Sequence, residues 1–402
     1  MTAVSPSARH RHHAAKRAGT TSARSTNAAG SRATTRSSTA ILLVAVVAVL
    51  NVIGAVMVLS ASSVSSLTDY GSPWFFFLRQ MLWTVVGLAA FVFAIRFDYH
   101  NWQRLVRPLL ILSVILLCLV LLPGVGIYVS GARRWMGYGI FRIQPSEIAK
   151  LALLVYTADI VSRRGKELYD WRRVMRPVVL MLGLFALLVM KEPDLGTTLV
   201  MAFLVIAVLV AGGVRAKHLF VVGGAGIVAI SALAWLEPYR RERMLTFLHP
   251  FADSSNSGYQ IAQSLIAIGS GGLTGVGLGA SRAKWNFLPN AHTDFIFAII
   301  GEELGLIGAF VVMGLFIVFG ILGTRAALRA PDRFGTLLAA GTTMWVVAQA
   351  VINIGAVVGV LPVTGIPLPF VSFGGSALVT TMLASGILVN VAGRGRTPSA
   401  TR

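Results

Sequence analysis

Pro289-Asn290-Ala291-His292-Thr293-Asp294-Phe295-Ile296-Phe297-Ala298 is the stretch whose reading decides the fold. A polar segment ends there. An apolar run begins that continues to about residue 321, broken only by Glu302 and Glu303. A run of that length crosses ~30 Å of hydrocarbon as a helix. Working outward, similar runs recur at about 41–61, 75–96, 107–124, 146–161, 177–190, 197–213, 218–236, 336–360 and 374–392, the fourth to sixth of the series being short. They lack the polar–apolar alternation of barrel strands, so the spanning elements are helices. The expectation is an all-α polytopic membrane protein of ten transmembrane helices.

Composition agrees. Of 402 residues, 55% are hydrophobic and 12% charged, and mean hydropathy is +0.75. A soluble domain could not hide so much apolar surface. The net charge of +20 does not point to nucleic acid, because of where it lies. Residues 1–40 carry Arg9, Arg11, Lys16, Arg17, Arg24, Arg32 and Arg36 without an acid, among Ser, Thr, Ala and His. That composition reads as a disordered basic tail that can touch anionic membrane lipids. Further basic loops fall at 162–176, 214–217 and 322–335, and Arg394 and Arg396 begin a short tail at 393–402. With both termini cytoplasmic, all of these share one side, as the positive-inside rule requires. The first apolar run starts too late, and is followed by too many others, for a cleaved signal peptide. Cys118 is the one cysteine. It reads as a small apolar-environment thiol, leaving no intrachain disulfide and no cysteine metal cluster.

Alternation then places outer loops at about 62–74, 125–145, 191–196, 237–293 and 361–373. The large extracytoplasmic loop between the seventh and eighth spans is too long and too apolar for a linker. It reads as an ordered cap with a short amphipathic or re-entrant helix near 258–269. The outer side also carries cations against the charge rule: Arg133, Arg134 and Arg142 in the second loop, and Arg240, Arg241, Arg243, Arg282 and Lys284 in the fourth. As a set they point to an anionic ligand such as a phosphate, which the guanidinium fork suits. Singly, each is equally served by pairing with Glu237, Glu242 or Asp253.

Several positions admit both a chemical and a structural role. Asp294 at the mouth of the eighth span is either that helix's N-cap or a general base for a substrate hydroxyl. Glu302 lies two turns further along the same face. Glu147 and Lys150 share a face of the fourth span, most simply as a self-neutralising pair. Trp135 is an interfacial anchor or a platform for a sugar ring. Lys191-Glu192-Pro193-Asp194 forms a tight turn in which Asp194 either caps a helix or lines a cavity. The glycine-dense segment 269–279 has no preceding strand and no Gly-Lys-Ser/Thr, so it is not a nucleotide loop. It reads as a turn that lets backbone approach the membrane surface or a phosphate. The uncharged link 363–376, with two prolines and a Gly pair, shapes a groove.

Taken together, Gly131-Ala132-Arg133-Arg134-Trp135, Gln144-Pro145-Ser146-Glu147-Ile148-Ala149-Lys150, Pro193-Asp194-Leu195-Gly196, Ser257-Gly258-Tyr259-Gln260, the run from Asn286 to Ala298, Gly301-Glu302-Glu303-Leu304-Gly305 and the turn Pro367-Leu368-Pro369-Phe370 resemble the SEDS family (shape, elongation, division, sporulation) over residues 41–392. Leu59-Ser60-Ala61-Ser62-Ser63 and Lys284-Trp285-Asn286 resemble its FtsW branch more than its RodA branch. Phe373 stands where many members have Tyr. The resemblance implies a glycosyltransferase that polymerises lipid II into peptidoglycan on the outer face of the bacterial cytoplasmic membrane, at the division septum. It implies Asp294 as the essential acid and Trp135 in an important outer loop. Trp135, Arg133, Arg134, Arg240, Arg243, Lys284, His292 and Ser372 are then candidate substrate-binding residues, and Glu147, Lys150, Asp194 and Glu302 structural or modulating ones. The implied partners are lipid II, a class B penicillin-binding protein acting as transpeptidase, and other divisome proteins. No tightly bound cofactor is expected; a divalent cation, Mg²⁺ or Mn²⁺, would arrive with substrate. The contrasting classes are a lipid II flippase and a division scaffold.

Overall fold

The computed structural model describes residues 38–129, 131–139, 141–165, 170–236, 258–285 and 287–395. The basic tail up to residue 37, the loop cations Arg240, Arg241 and Arg243, and the end of the chain beyond 395 lie outside them. The helices are α1 (Ser38–Tyr70), α2 (Phe75–Arg96), α3 (Trp102–Leu121), α4 (Pro145–Arg163), α5 (Arg176–Lys191), α6 (Leu195–Ala211), α7 (Ala216–Leu236), α8 (Tyr259–Gly271), α9 (Ile296–Leu328), α10 (Arg333–Val357) and α11 (Gly375–Gly393). Each expected span falls on one of these helices. Seven helical segments among the described residues are long and apolar enough to cross a membrane, and Leu195–Ala211 is a shorter apolar one. The cap helix expected near 258–269 is α8.

Sequence-predicted boundaries shift for identifiable reasons. The first outer loop shrinks because α1 runs on to Tyr70. Its serines and threonine bond back to helix carbonyls rather than ending the helix: Ser63 Oγ donates to Ser60 O, Ser65 Oγ to Ser62 O and Thr68 Oγ1 to Val64 O. The fifth span gains length from a single π-turn, Trp171–Met175, that feeds directly into α5. The second outer loop is no loop and is not helical. It is a three-stranded antiparallel sheet in the order β1 (Ile127–Val129), β2 (Ala132–Tyr138), β3 (Phe141–Ile143). Its reversals fall at Gly131 and Gly139, which adopt φ of +83° and +62°; such turns match strand twist and favour glycine.

Inside the bundle, α10 and α11 are the inner helices, mostly buried and with polar side chains such as Gln349, Asn353 and Thr380 turned into the core. α2 and α3 instead present Leu78, Val85, Ile111 and Ile115 outward, as a lipid-facing surface should. Cys118 is exposed on α3. Across the middle of the bundle runs a polar ladder. Lys150 Nζ lies 2.9 Å from Glu147 Oε1, with both side chains buried. Thr380 Oγ1 donates to Glu147 Oε2 at 2.9 Å. Lys150 Nζ also donates to Gln349 Oε1 at 3.0 Å, and the Trp345 indole donates to the same oxygen. An unpaired charge at this depth would cost several kcal/mol, so the ladder is what makes α4 tolerable in the core.

The eighth span is broken near its outer end. Gly305 has φ +66° and ψ −167° inside α9. The glycine-dense segment fills the break. Val276 N and Gly277 N donate to the Glu302 and Glu303 carbonyls, and Leu306 N and Ile307 N donate to Gly272 O and Leu273 O. The contact is close enough that a Cβ on Gly275 would sit 2.1 Å from Glu303 O. The backbone these glycines let approach is therefore that of α9, rather than a membrane surface or phosphate.

Candidate functional site

Asp294 is half-buried one residue before the N-cap of α9. The residue at the N-cap position is Phe295, whose own side chain makes no capping bond. The approach to it is a tight turn in which Thr293 N and Phe295 N both donate to Asn290 O, with Asn290 at φ +58°. Behind it, Asn353 Nδ2 on α10 donates to both Asp294 O and Ile366 O at 2.8 Å. One turn earlier, Gln349 Nε2 donates to Pro367 O at 2.9 Å. The buried ladder from Glu147 and Lys150 thus ends on the backbone of Asp294 and of the 364–367 strap.

Gly365 in that strap has φ +72°. A Cβ placed on it would lie 3.7 Å from Asp294 Oδ2 and 3.9 Å from Arg134 Nη1. The carboxylate and a guanidinium from β2 therefore converge over a glycine that leaves room between them. Arg134 is also a clamp: its Nε donates to Glu192 O at 2.7 Å and its Nη2 to Pro193 O at 2.5 Å. It ties the sheet to the turn between α5 and α6. In that turn Asp194 caps α6, accepting from Thr197 N and Thr197 Oγ1 and from Gln144 Nε2. The structure thus gives Asp194 the helix-capping role rather than that of a cavity lining.

Glu192 is fully buried in the same turn, and neither carboxyl oxygen has a hydrogen-bond partner among the described residues. Burial, reinforced by the neighbouring Asp194, pushes its carboxyl up to about 9 against the pull of Arg134. It is neutral at pH 7. Because the folded-state value lies above the unfolded one, its contribution to stability is fully present below about pH 4.5 and is lost as pH rises towards 9. Thermal unfolding followed from about pH 5 to 9 should show stability falling, and Glu192→Gln should flatten that slope and raise the unfolding temperature at about pH 8. An unchanged slope would contradict the burial of a neutral acid here.

The other expected ligands separate. His292 sits between Phe76 and Phe373, with ring centroids at 4.4 and 5.7 Å, and burial pushes it down to about 4. At neutral pH it is therefore an uncharged imidazole packed against aromatic rings. Trp135 and Arg142 line a cavity of about 240 Å³ with Thr293 and the 373–375 turn. Arg133 is half-buried on β2. Lys284 and Ser372 are turned to structure. Lys284 is buried, 3.5 Å from Glu303 Oε1, and donates to Gly279 O, while Ser372 Oγ accepts from Leu368 N. Glu302 accepts from Ser281 Oγ and Arg282 N, and Glu303 from Ser60 Oγ; both pin the cap to the bundle. Sequence reasoning missed Arg79, Gln349 and Asn353. The signal was present in each case: a lone cation early in a span, and two amides spaced four apart within another. Among the described residues no group of three His, Cys, Asp or Glu side chains is placed to hold a metal ion.

Comparison with known proteins bears on this arrangement. The family described as cell cycle protein, FtsW/RodA/SpoVE, matches residues 40–397. Stage V sporulation protein E of Bacillus subtilis is 42% identical over 89% of this chain and 98% of its own length. A probable peptidoglycan glycosyltransferase FtsW of Geobacter metallireducens is 40% identical over 88% of this chain and 94% of its own. Among solved structures, a chain of a peptidoglycan synthase complex coordinating polymerization and crosslinking aligns with a TM-score of 0.73 at 30% identity, covering 88% of this chain and 97% of that one. The rod shape determining protein RodA of Thermus thermophilus aligns with a TM-score of 0.63 at 29% identity, over 87% and 95%. A multi-pass helical membrane protein, this chain belongs to the FtsW/RodA/SpoVE family.

Proposed function

We propose that the chain is a peptidoglycan glycosyltransferase, joining lipid II units into glycan strands at the outer face of the bacterial cytoplasmic membrane during division. The observation that carries the reading is the placement of Asp294: a half-buried carboxylate, its backbone held from behind by Asn353, that converges with Arg134 over Gly365. In the reaction, Asp294 accepts the proton of the acceptor N-acetylglucosamine 4-hydroxyl. That oxygen forms a bond to the anomeric carbon of the donor N-acetylmuramic acid with inversion. The bond from that carbon to the phosphate oxygen breaks, and undecaprenyl diphosphate leaves with the electron pair. A Mg²⁺ or Mn²⁺ ion entering with substrate would neutralise the departing charge; Asp294 is the protein oxygen donor the site offers it. Arg134 and its clamp on the 192–193 turn hold the sheet, and with it Trp135, over the reacting groups.

The partner in this reading is a class B penicillin-binding protein that crosslinks the strands. An apolar groove of about 730 Å³ between α9 and α10, floored by Gly320 and Gly355 and walled by Phe316, Val347, Val351 and Ile354, offers it a helix-in-groove surface. Septal placement follows the division role. The test is direct: the purified chain, reconstituted with its cognate transpeptidase, is given lipid II. Glycan strands lengthening with time are expected. Lipid II crossing sealed vesicles without any polymer would overturn the reading in favour of a transporter.

A further inference from the structure

We propose that Glu192 is a positioning residue for the transfer reaction, acting on Asp294 through the guanidinium of Arg134. The proposal rests on the polymerase reading above and gives that reaction a control point which substrate does not touch.

Geometry is the first argument. Arg134 reaches from β2 over the turn between α5 and α6, where Nε donates to the Glu192 carbonyl and Nη2 to the Pro193 carbonyl. Nη1 lies on the side of Gly365, where an added Cβ would be 3.9 Å from it and 3.7 Å from Asp294 Oδ2. The Glu192 side chain leaves from the very residue that the guanidinium grips. It is wholly buried, and both its oxygens are without a hydrogen-bond partner among the described residues. A guanidinium bonds a carboxylate more strongly than it bonds a carbonyl. That Arg134 takes two carbonyls beside a free carboxyl is the behaviour expected towards an uncharged acid. The other acid of the turn is engaged elsewhere: the Asp194 oxygens accept from Thr197 N, Thr197 Oγ1 and Gln144 Nε2. Neither acid of the turn neutralises Arg134, and its positive charge is left to Asp294.

Electrostatics are the second. Arg134 from β2 and Asp194 from the start of α6 are the charged groups that act on the Glu192 carboxyl, and burial with Asp194 outweighs the guanidinium, so the acid loses its proton only at about pH 9. Lys191, in the last turn of α5, is exposed. The strap packed on Gly196 brings Thr364, Gly365, Ile366 and Pro367, none of which titrates. Once Glu192 ionises, a buried carboxylate stands beside a guanidinium held only by neutral carbonyls. The ion pair then forms in preference. The guanidinium turns from Gly365 towards Glu192, its charge is cancelled, and Asp294 loses the cation it converges with. The sign follows: turnover is complete while Glu192 keeps its proton and is lost as pH rises through about 9.

Two measurements test the link. The first is the rate of strand formation from lipid II, followed from about pH 6.5 to 10 with the full chain and its transpeptidase partner. The wild type should keep about a quarter of its plateau rate at about pH 9.5, as one group titrating at about 9 requires. Glu192→Gln, of the same shape but unable to ionise, should lose that alkaline fall. Arg134→Gln should lower the plateau and leave no such fall in the rate that remains. A fall near pH 9 that persists in Glu192→Gln overturns the proposal, and one that persists in Arg134→Gln does so too, because the guanidinium is then not the messenger. The second is infrared titration of the chain alone in nanodiscs, reading the protonated carboxyl band that Glu192→Gln removes. In Arg134→Gln that band should persist to a pH higher by about one unit or more, since a neighbouring cation favours the ionised form. An unmoved titration overturns the proposal. Infrared behaviour as expected in a wild type that makes no strands at any pH would instead count against the polymerase reading alone.

Discussion

Asp294→Asn is expected to cut glycan-strand formation by about 10²–10⁴-fold, the worth of a positioned general base. The protein should still fold, as its unfolding transition in detergent will show. The substitution keeps the shape of the side chain and removes only its charge. The backbone of this part of the chain is fixed through the Asp294 carbonyl, which accepts from Asn353 Nδ2 and is untouched by the substitution. Loss of kcat with little change in KM for lipid II is the signature of a group that acts on the transferred proton. Full activity in a folded Asp294→Asn protein would remove the carboxylate from the chemistry. A Glu at this position should recover part of the rate, because the longer side chain still reaches into the space over Gly365.

Lys150→Met carries the other large effect, and it falls on stability. Glu147 would be left buried with its ion-pair partner gone, for which a loss of about 3–5 kcal/mol is expected. Melting in detergent, compared with the wild type at one lipid-to-protein ratio, measures it. Adding Glu147→Leu should recover much of that stability, since a well-packed apolar pair often matches a buried ionic one. Activity should not recover with it. The double variant still lacks the Lys150 bond to Gln349, and Gln349 holds Pro367 in the strap that Asn353 ties to Asp294. A double variant with wild-type turnover would show that the ladder only stabilises and does not position the carboxylate.

Much of the scaffold was legible because bilayer crossing imposes a one-dimensional code. Length and apolarity mark the spans, and the three-residue spacing of Glu147 and Lys150 is enough to put them on one face of a helix. The helix at Tyr259–Gly271 was readable in the same way, from apolar spacing inside a polar loop. The sheet at 127–143 was not. Its strands are three to seven residues long, too short for alternation to stand out, and its identity rests on glycine reversals and pairing. The break at Gly305 was hidden for a different reason: a single glycine in a 33-residue apolar helix says nothing until a distant segment supplies the missing hydrogen bonds. Gln349 and Asn353 were visible as amides in a span, but their partners lie in a turn beyond the end of their helix. Sequence patterns report the period of an element, whereas a site is set by which elements meet.

The seam at Gly305 has a mechanical meaning. Four backbone bonds join residues 272–277 to both sides of the break in α9, and Glu302 and Glu303 bind the chain at 281–284 from the same short segment. The cap and both halves of α9 are consequently stitched into one part. A sideways push on the cap is not absorbed by loop flexing. It loads the backbone on both sides of Gly305 at once, and the short segment that carries Asp294 at its head lies directly in line with that load.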